Sequence, residues 1–345
     1  MGKYTDFTQA DTTVENKAAT VESVSSKKQK RSNAITAVNE DPAVRKAIKS
    51  KKLKLRRRRK FLEWGEFTLY LLPSLAGVVI FFFWPLVKLI KTSFQRSSTN
   101  TDFVGFTNYS RTISNEAFVK AAKNTLTFAA ISVPLAVILA LLLALLLNSG
   151  LPGKSVFRSI LLNPMMVPVA SIVLIWQVFF SYNGVLNGWF ADWFGADPVD
   201  WMKSSKAQVV IMLLFLWKNL GYNMVLFLAA LNNIPTEVIE SAKMDGANAL
   251  TRFFRIKMYY LSPTVFFVAI MSLISSFKIF REVYLLTGDY PYDTLYMLQH
   301  FMNNAFTHLD YSKLSSGAII MCVAMIIIVG VLFFAESKFD ADVEE

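Results

Sequence analysis

Six stretches of about twenty mostly apolar residues run through this 345-residue chain, and they decide its solvent before anything else does. They are Phe67–Ile90, Thr125–Leu147, Ile160–Phe180, Val209–Leu231, Ser262–Leu285 and Ser315–Phe334. At about 1.5 Å per residue, each is long enough as a helix to cross about 30 Å of hydrocarbon. A sheet with open edges cannot satisfy its backbone in lipid, so all six are predicted to be helices. The expected fold is therefore all-α, a polytopic membrane protein with six transmembrane helices. Two of the spans are punctuated by polar side chains. Lys218, Asn219 and Asn223 interrupt the fourth, and Lys278, Arg281 and Glu282 stand near the end of the fifth.

Charge is concentrated outside the spans. Residues 1–66 hold 17 Lys+Arg against 8 Asp+Glu, whereas residues 67–345 hold the remaining 19 against 17. The basic excess thus belongs to a tail ending in the run Lys51–Lys60, which is read as disordered or loosely helical. It lacks the short apolar core of a signal peptide and serves as a topology anchor, or as a contact for anionic lipid or a cytosolic partner. Its position directly before the first span predicts a cytoplasmic N-terminus, and six crossings return the C-terminus to the same side. The loops agree. Loops 148–159 and 232–261 carry 6 Lys/Arg in 42 residues, while 91–124, 181–208 and 286–314 carry 8 in 91. The domain reading is a tail at 1–66, a six-span unit at 67–336 with a prominent loop at 232–261, and an acidic end at 337–345.

Several chemistries are excluded. With the charge confined to a tail, no nucleic-acid partner is expected. The single Cys322 and the two histidines, His300 and His308, leave no disulfide framework and no metal site. Gly150–Ser155 ends like a phosphate-binding loop, but that loop needs a glycine where Asn148 stands, and it needs a strand before it. The chain is not expected to bind ATP or to be an enzyme.

Loop 232–261 is the most informative segment. Pro235 opens a short helix, Glu237 and Glu240 sit near its positive end, and Gly246 suits the left-handed residue that stops it. Arg252, Arg255 and Lys257, alternating with Phe253, Phe254 and Ile256, then suggest a second amphipathic helix leading into the fifth span. The stretch Glu240-Ser241-Ala242-Lys243-Met244-Asp245-Gly246-Ala247, followed by Ile256 and Pro263, resembles the Glu-Ala-Ala loop of ABC importer permeases, nearest to sugar permeases of the maltose-transport type. Phe103–Tyr109, Asn124-Thr125-Leu126, Lys154 through Phe157-Arg158, and Tyr284–Gly288 resemble the same family, so the likeness covers roughly Tyr70 to Phe334. Departures are few: Ser241 replaces an alanine, Met258-Tyr259 replaces Leu-Pro, and Gly288-Asp289-Tyr290-Pro291 replaces Gly-Gly-Pro.

The resemblance implies a bacterial inner-membrane, multi-pass subunit that imports a carbohydrate. Its implied partners are a second homologous permease, a cytoplasmic ABC ATPase dimer that binds the ATP, a solute-binding protein and the surrounding membrane lipids. It further implies that Glu237, Glu240, Ser241, Ala242, Asp245, Gly246 and Ala247 dock on the ATPase.

The substrate path is sought where polar groups lie at membrane depth, because they are costly there. Lys218 is nine residues into the fourth span, with Trp217, Asn219, Tyr222 and Asn223 around it; Phe277, Lys278 and Phe280 lie in the fifth. Rings and amides suit a sugar. Lys278 and Arg281, three residues apart, can share a face and would favour an acidic sugar such as a uronate. Lys278 could instead pair with Glu282 or with a partner subunit's carboxylate, and Arg281 could reach headgroups. Other readings are an ABC permease for a non-sugar solute (polyol phosphate, polyamine or amino acid) and a self-contained secondary transporter. The spans hold no Asp or Glu apart from Glu282, which weighs against ion coupling.

Overall fold

A computed structural model describes residues 46, 68, 70–97, 99–149 and 152–344, with side chains as far as residue 338. The reading of the basic tail falls almost wholly outside these residues. The chain divides into two compact units, Met1–Pro85 and Leu86–Glu345. Among the described residues there is no strand, only an isolated bridge between Gln95 and Phe103. Among the described residues six helical segments are long and apolar enough to cross a membrane: Tyr70–Ser93, Glu116–Asn148, Val169–Phe194, Ala207–Asn232, Ala249–Thr287 and Tyr311–Lys338.

The first of these, α1 (Tyr70–Ser93), loosens into a π-helical stretch at Val79–Phe83, where the Trp84 amide reaches back to the Val79 carbonyl. Pro85 explains the widening, since it offers no amide and its ring crowds the carbonyl four residues before it.

The second unit is organised around α3 (Glu116–Asn148), which follows the short helix α2 (Thr107–Ile113). Asn115 caps α3 through its side-chain oxygen, which accepts from the Ala117 and Phe118 amides; the helix therefore begins nine residues before the apolar run does. Ala136, Ala140 and Ala144 recur every fourth residue and are fully buried. Such a stripe of small residues lets helices approach closely where lipid supplies no hydrophobic drive. The neighbour is α7 (Ala207–Asn232), and the two form the centre of the core with Phe128 edge-on to Phe215 at 5.6 Å. Lower down, Ala140, Ala144 and Leu147 of α3 pack with Met224, Phe227 and Leu231 of α7 and Leu261 of α9 (Met258–Phe277).

The continuous third span expected over 160–180 is not what forms. It is two helices, α4 (Lys154–Met166) and α5 (Val169–Phe180), separated by extended backbone at Val167 and Pro168. Pro168 is the cause: it disfavours helical backbone at Val167 and has no amide to donate. After a turn at 181–184, α6 (Val185–Phe194) follows. α4 lies against α7 at Gly221, where an added Cβ would stand 1.9 Å from the Leu161 carbonyl oxygen. Backbone cannot yield as a side chain can. Gly221→Ala is therefore expected to cost about 3 kcal/mol and to lower the melting temperature of the purified chain, whereas Gly188→Ala, facing open space, should leave it unchanged. Equal melting of the two variants would mean that α4 does not pack here.

Beyond α9 come α10 (Phe280–Thr287), α11 (Leu298–Thr307) and α12 (Tyr311–Glu344). The segment that joins α10 to α11 is tied to α3. Asn124 donates to the Asp293 and Tyr296 carbonyls at 2.6 and 3.0 Å, and the Thr125 hydroxyl accepts from the Leu298 amide at 3.0 Å. This accounts for the Asn-Thr pair noted in the sequence. His300 is fully buried there, edge-on to Phe280 at 4.7 Å, and burial lowers its pKa to about 4.

Candidate functional site

Lysine, asparagine and tyrosine in the middle of a transmembrane helix need partners or water. In α7 they line a cavity of about 380 Å³, and several find partners there. Lys218 and Tyr222, and Asn219 and Asn223, are four residues apart and so sit on neighbouring faces that turn the same way. Opposite them stand Met271 and Ser275 of α9, the linking residues Lys278 and Ile279, and Arg281 and Glu282 of α10, with Met165 of α4 closing one side.

The break after Phe277 creates this wall. Helical bonding stops where the Lys278 amide turns back to the Ser275 carbonyl at 3.1 Å, and α10 restarts at Phe280. The new helix direction carries Glu282 inward, leaving it 4% exposed in the first turn of α10, where the positive helix end favours a carboxylate. Its Oε1 accepts from the Lys218 Nζ, joining α10 to α7. The pairing of Lys278 with Glu282 considered from the sequence is thus corrected, since the chain is not one helix between them and the four-residue spacing no longer brings them together.

The other polar groups are disposed differently. Asn223 is 2% exposed and donates to Ser272 Oγ at 2.9 Å, clasping α7 to α9. Asn219 donates to the Phe215 carbonyl of its own helix at 2.8 Å. Lys278 and Arg281 are exposed, and among the described residues neither has a carboxylate partner. Among the described residues of the wall the one carboxylate is already engaged, so two cations there are left uncommitted.

Five of the eight residues sought as a substrate path meet here: Lys218, Asn219, Tyr222, Asn223 and Lys278. Trp217 is one residue, about 100° of helix, away from Lys218 and lies against Trp176 with ring centres 5.2 Å apart. Phe277 is buried against Ala129, Val133 and Leu273. Phe280 contacts Tyr284 and His300. None of these three lines the cavity. Met165, Phe215, Met271, Ser275 and Ile279 do, and sequence reasoning passed over them. The only signal for Met165 was the Val167-Pro168 break two residues on.

The second constellation is at the far end of α7. Three residues beyond its last turn, α8 (Thr236–Met244) begins after Pro235. It ends as the sequence predicted. Gly246 has φ +77°, its amide donates to the Lys243 carbonyl at 3.1 Å, and the Ala247 amide donates to the Ala242 carbonyl at 3.0 Å. These two bonds form the Schellman stop that an achiral residue permits. Arg252 Nη1 then holds the Ala247 carbonyl at 2.7 Å. The expected second amphipathic helix appears as one short turn (Ala249–Thr251) and a π-helical turn (Arg252–Lys257) running into α9. Ile239 and Phe253 pack inward on the cluster of Leu147, Leu231, Ile234 and Leu261. Glu237, Glu240, Ser241, Asp245 and Gly246 face outward, while Ala242 and Ala247 are half-buried. Beside them Met244, Leu250 and Phe254 are 89%, 68% and 64% exposed, an apolar patch on an otherwise charged loop.

Comparison with known proteins follows the same outline. Residues 132–339 match the family described as binding-protein-dependent transport system inner membrane component. The trehalose/maltose transport system permease protein MalF of Thermococcus litoralis is 30% identical over 79% of this chain and 94% of its own length. The arabinooligosaccharide transport system permease protein AraP of Halalkalibacterium halodurans is 33% identical over 61% of this chain and 67% of its own. The sn-glycerol-3-phosphate transport system permease protein UgpA of Rhizobium meliloti is 30% identical over 76% and 90%. Among solved structures, a bacterial ABC transporter involved in the import of the acidic polysaccharide alginate superimposes with a TM-score of 0.71. It is 22% identical and covers 83% of this chain and 99% of that one.

Proposed function

Because this chain belongs to the family of binding-protein-dependent transport inner membrane components, multi-pass proteins of the inner membrane, we propose that it is a permease subunit of an ATP-driven importer of carbohydrate, specifically of an acidic oligosaccharide. The observation that carries the acidic reading is the cavity wall. Glu282 neutralises Lys218, and Lys278 and Arg281 stand beside them with no carboxylate partner among the described residues. A uronate carboxylate would satisfy both, with the amide and phenol of Asn219 and Tyr222 available to hydroxyls. Maltose-type and arabinooligosaccharide relatives support a sugar cargo. The glycerol-phosphate relatives favour a second reading, a polyol phosphate, for which the same two cations are equally suited.

In this account the chain performs no covalent chemistry and holds no cofactor. A cytoplasmic ATPase dimer binds the ATP and seats α8 through the face bearing Glu237, Glu240 and Asp245, with Met244 as the apolar contact. A second permease completes the path, and a solute-binding protein delivers the cargo. Movement has a short mechanical route. α8 follows α7 after three residues, and its Ile239 is keyed into the cluster that also holds Leu231. A displacement of α8 is therefore passed to α7, the helix that carries the cavity's Lys218, Asn219 and Tyr222.

Lys278→Gln tests the cargo. The variant should lose about tenfold in uptake of a uronic oligosaccharide, or of glycerol phosphate if that is the cargo, and keep uptake of a neutral one, since a charge-assisted hydrogen bond is worth about 1.5–3 kcal/mol. Equal loss for neutral and anionic substrates would contradict the anionic reading.

A further inference from the structure

At the end of α3 remote from α8, a second polar cavity of about 260 Å³ lies among the segment after α1, helix α2 and the starts of α3 and α12. Its wall holds three cations, Arg96, Arg111 and Lys313, against one carboxylate, Asp310. Among the described residues none of the three cations has a carboxylate partner. Asp310 is occupied as a helix cap, its Oδ1 accepting from the Lys313 amide at 3.1 Å. Asn115 is likewise occupied as the cap of α3. Both long helices therefore begin at this cavity with their partially positive ends.

The inner wall carries an unmet polar group. Ser312 is 5% exposed, lines the cavity, and its Oγ has no hydrogen-bond partner, whereas the neighbouring hydroxyls of Thr112 and Ser316 satisfy each other at 2.7 Å. A buried hydroxyl without a partner is costly, and beside three cations the group that would satisfy it is an oxyanion. Lys313 is held in place over the Phe301 ring, 4.8 Å from its centre.

What surrounds the cavity indicates the source of the oxyanion. Phe94, Phe103, Phe106 and Tyr109 form one cluster with ring centres 5.4 to 5.9 Å apart, yet Phe103 and Phe106 are 79% and 73% exposed. Exposed rings next to basic side chains, just past the end of one span at Ser93 and just before another at Tyr311, are what the boundary between acyl chains and headgroups selects. We propose that this cavity binds the phosphate of an anionic phospholipid headgroup, with Arg96, Arg111, Lys313 and the Ser312 hydroxyl as its ligands and the two exposed phenylalanines seated among the acyl chains.

The experiment uses the full-length chain with the subunits that co-purify, extracted in mild detergent, and counts bound phospholipid by mass spectrometry after exchange into phosphatidylcholine vesicles with and without phosphatidylglycerol. The wild type should keep phosphatidylglycerol through detergent washing. Arg111→Gln combined with Lys313→Gln should lower retention at least about tenfold, and Ser312→Ala, which removes only the unpartnered hydroxyl, should lower it several-fold with no fall in melting temperature. Equal retention by wild type and variants would overturn the proposal. Displacement of the lipid by millimolar inorganic phosphate alone would also overturn it, assigning the cavity to a soluble anion. So would unchanged lipid retention with loss of binding-protein-stimulated ATP hydrolysis, which would assign it to a protein carboxylate.

Discussion

Glu282→Gln is expected to destabilise the chain by about 3 kcal/mol and to reduce folded protein in the membrane sharply, because it leaves Lys218 charged at membrane depth with no counter-ion. Lys218→Met should do nearly the same by stranding Glu282, which is the more buried partner. The double variant Lys218→Met/Glu282→Gln removes both charges together. It should recover most of the stability, since replacing a whole buried pair is often neutral or favourable. Uptake should return with it to within a few-fold, because the pair clasps α7 to α10, and on the proposed reading the cargo is met by Lys278 and Arg281. Melting temperature and uptake measured on all four proteins close the cycle. A double variant that is stable yet transports nothing would show that the pair acts on the cargo or on a proton rather than on the fold.

Changes in α8 should behave in the opposite way, sparing the fold and removing function. Gly246→Asp places a side chain on a backbone at φ +77°, costing about 1 kcal/mol locally, and adds a charge to the outward face. Glu240→Arg reverses a charge that is exposed and whose carboxylate makes no hydrogen bond or ion pair among the described residues. Neither residue belongs to the packed cluster, so both variants should reach the membrane in normal amount. Both should nevertheless lose at least about tenfold in uptake, since reversing a charge at a docked interface costs several kcal/mol. Quantitative blotting of membranes alongside uptake separates the two effects. Uptake within twofold of wild type would mean that α8 is only a connector.

Much of this was legible from residues alone, for identifiable reasons. Lipid admits few backbone solutions, so apolar length placed the first, fourth and sixth spans to within a few residues, while the fifth begins thirteen residues earlier, at Ala249, through turns read as a separate loop helix. Asn115 lengthened the second span and Pro168 divided the third. The stop at Gly246 was legible because local backbone bonds fix it. The ion pair was not, because Lys218 and Glu282 are 64 residues apart and meet only after α9 breaks at Lys278. The same break explains why Phe277 and Phe280, counted among the path residues, turn to the core and to His300 instead. Helical phase alone would have set Trp217 aside, because at about 100° per residue it lies nearly opposite the face that Lys218, Asn219, Tyr222 and Asn223 share.

The proposed role of α8 is to seat a separate ATPase. Its most direct test is co-purification from the native membrane in mild detergent, comparing wild type with Glu240→Arg and Gly246→Asp. An ATPase recovered in stoichiometric amount with the wild-type chain, and lost from both variants while the chain itself stays folded, is the predicted result. A wild-type chain that emerges folded and alone, and that transports unaided in liposomes, would contradict it.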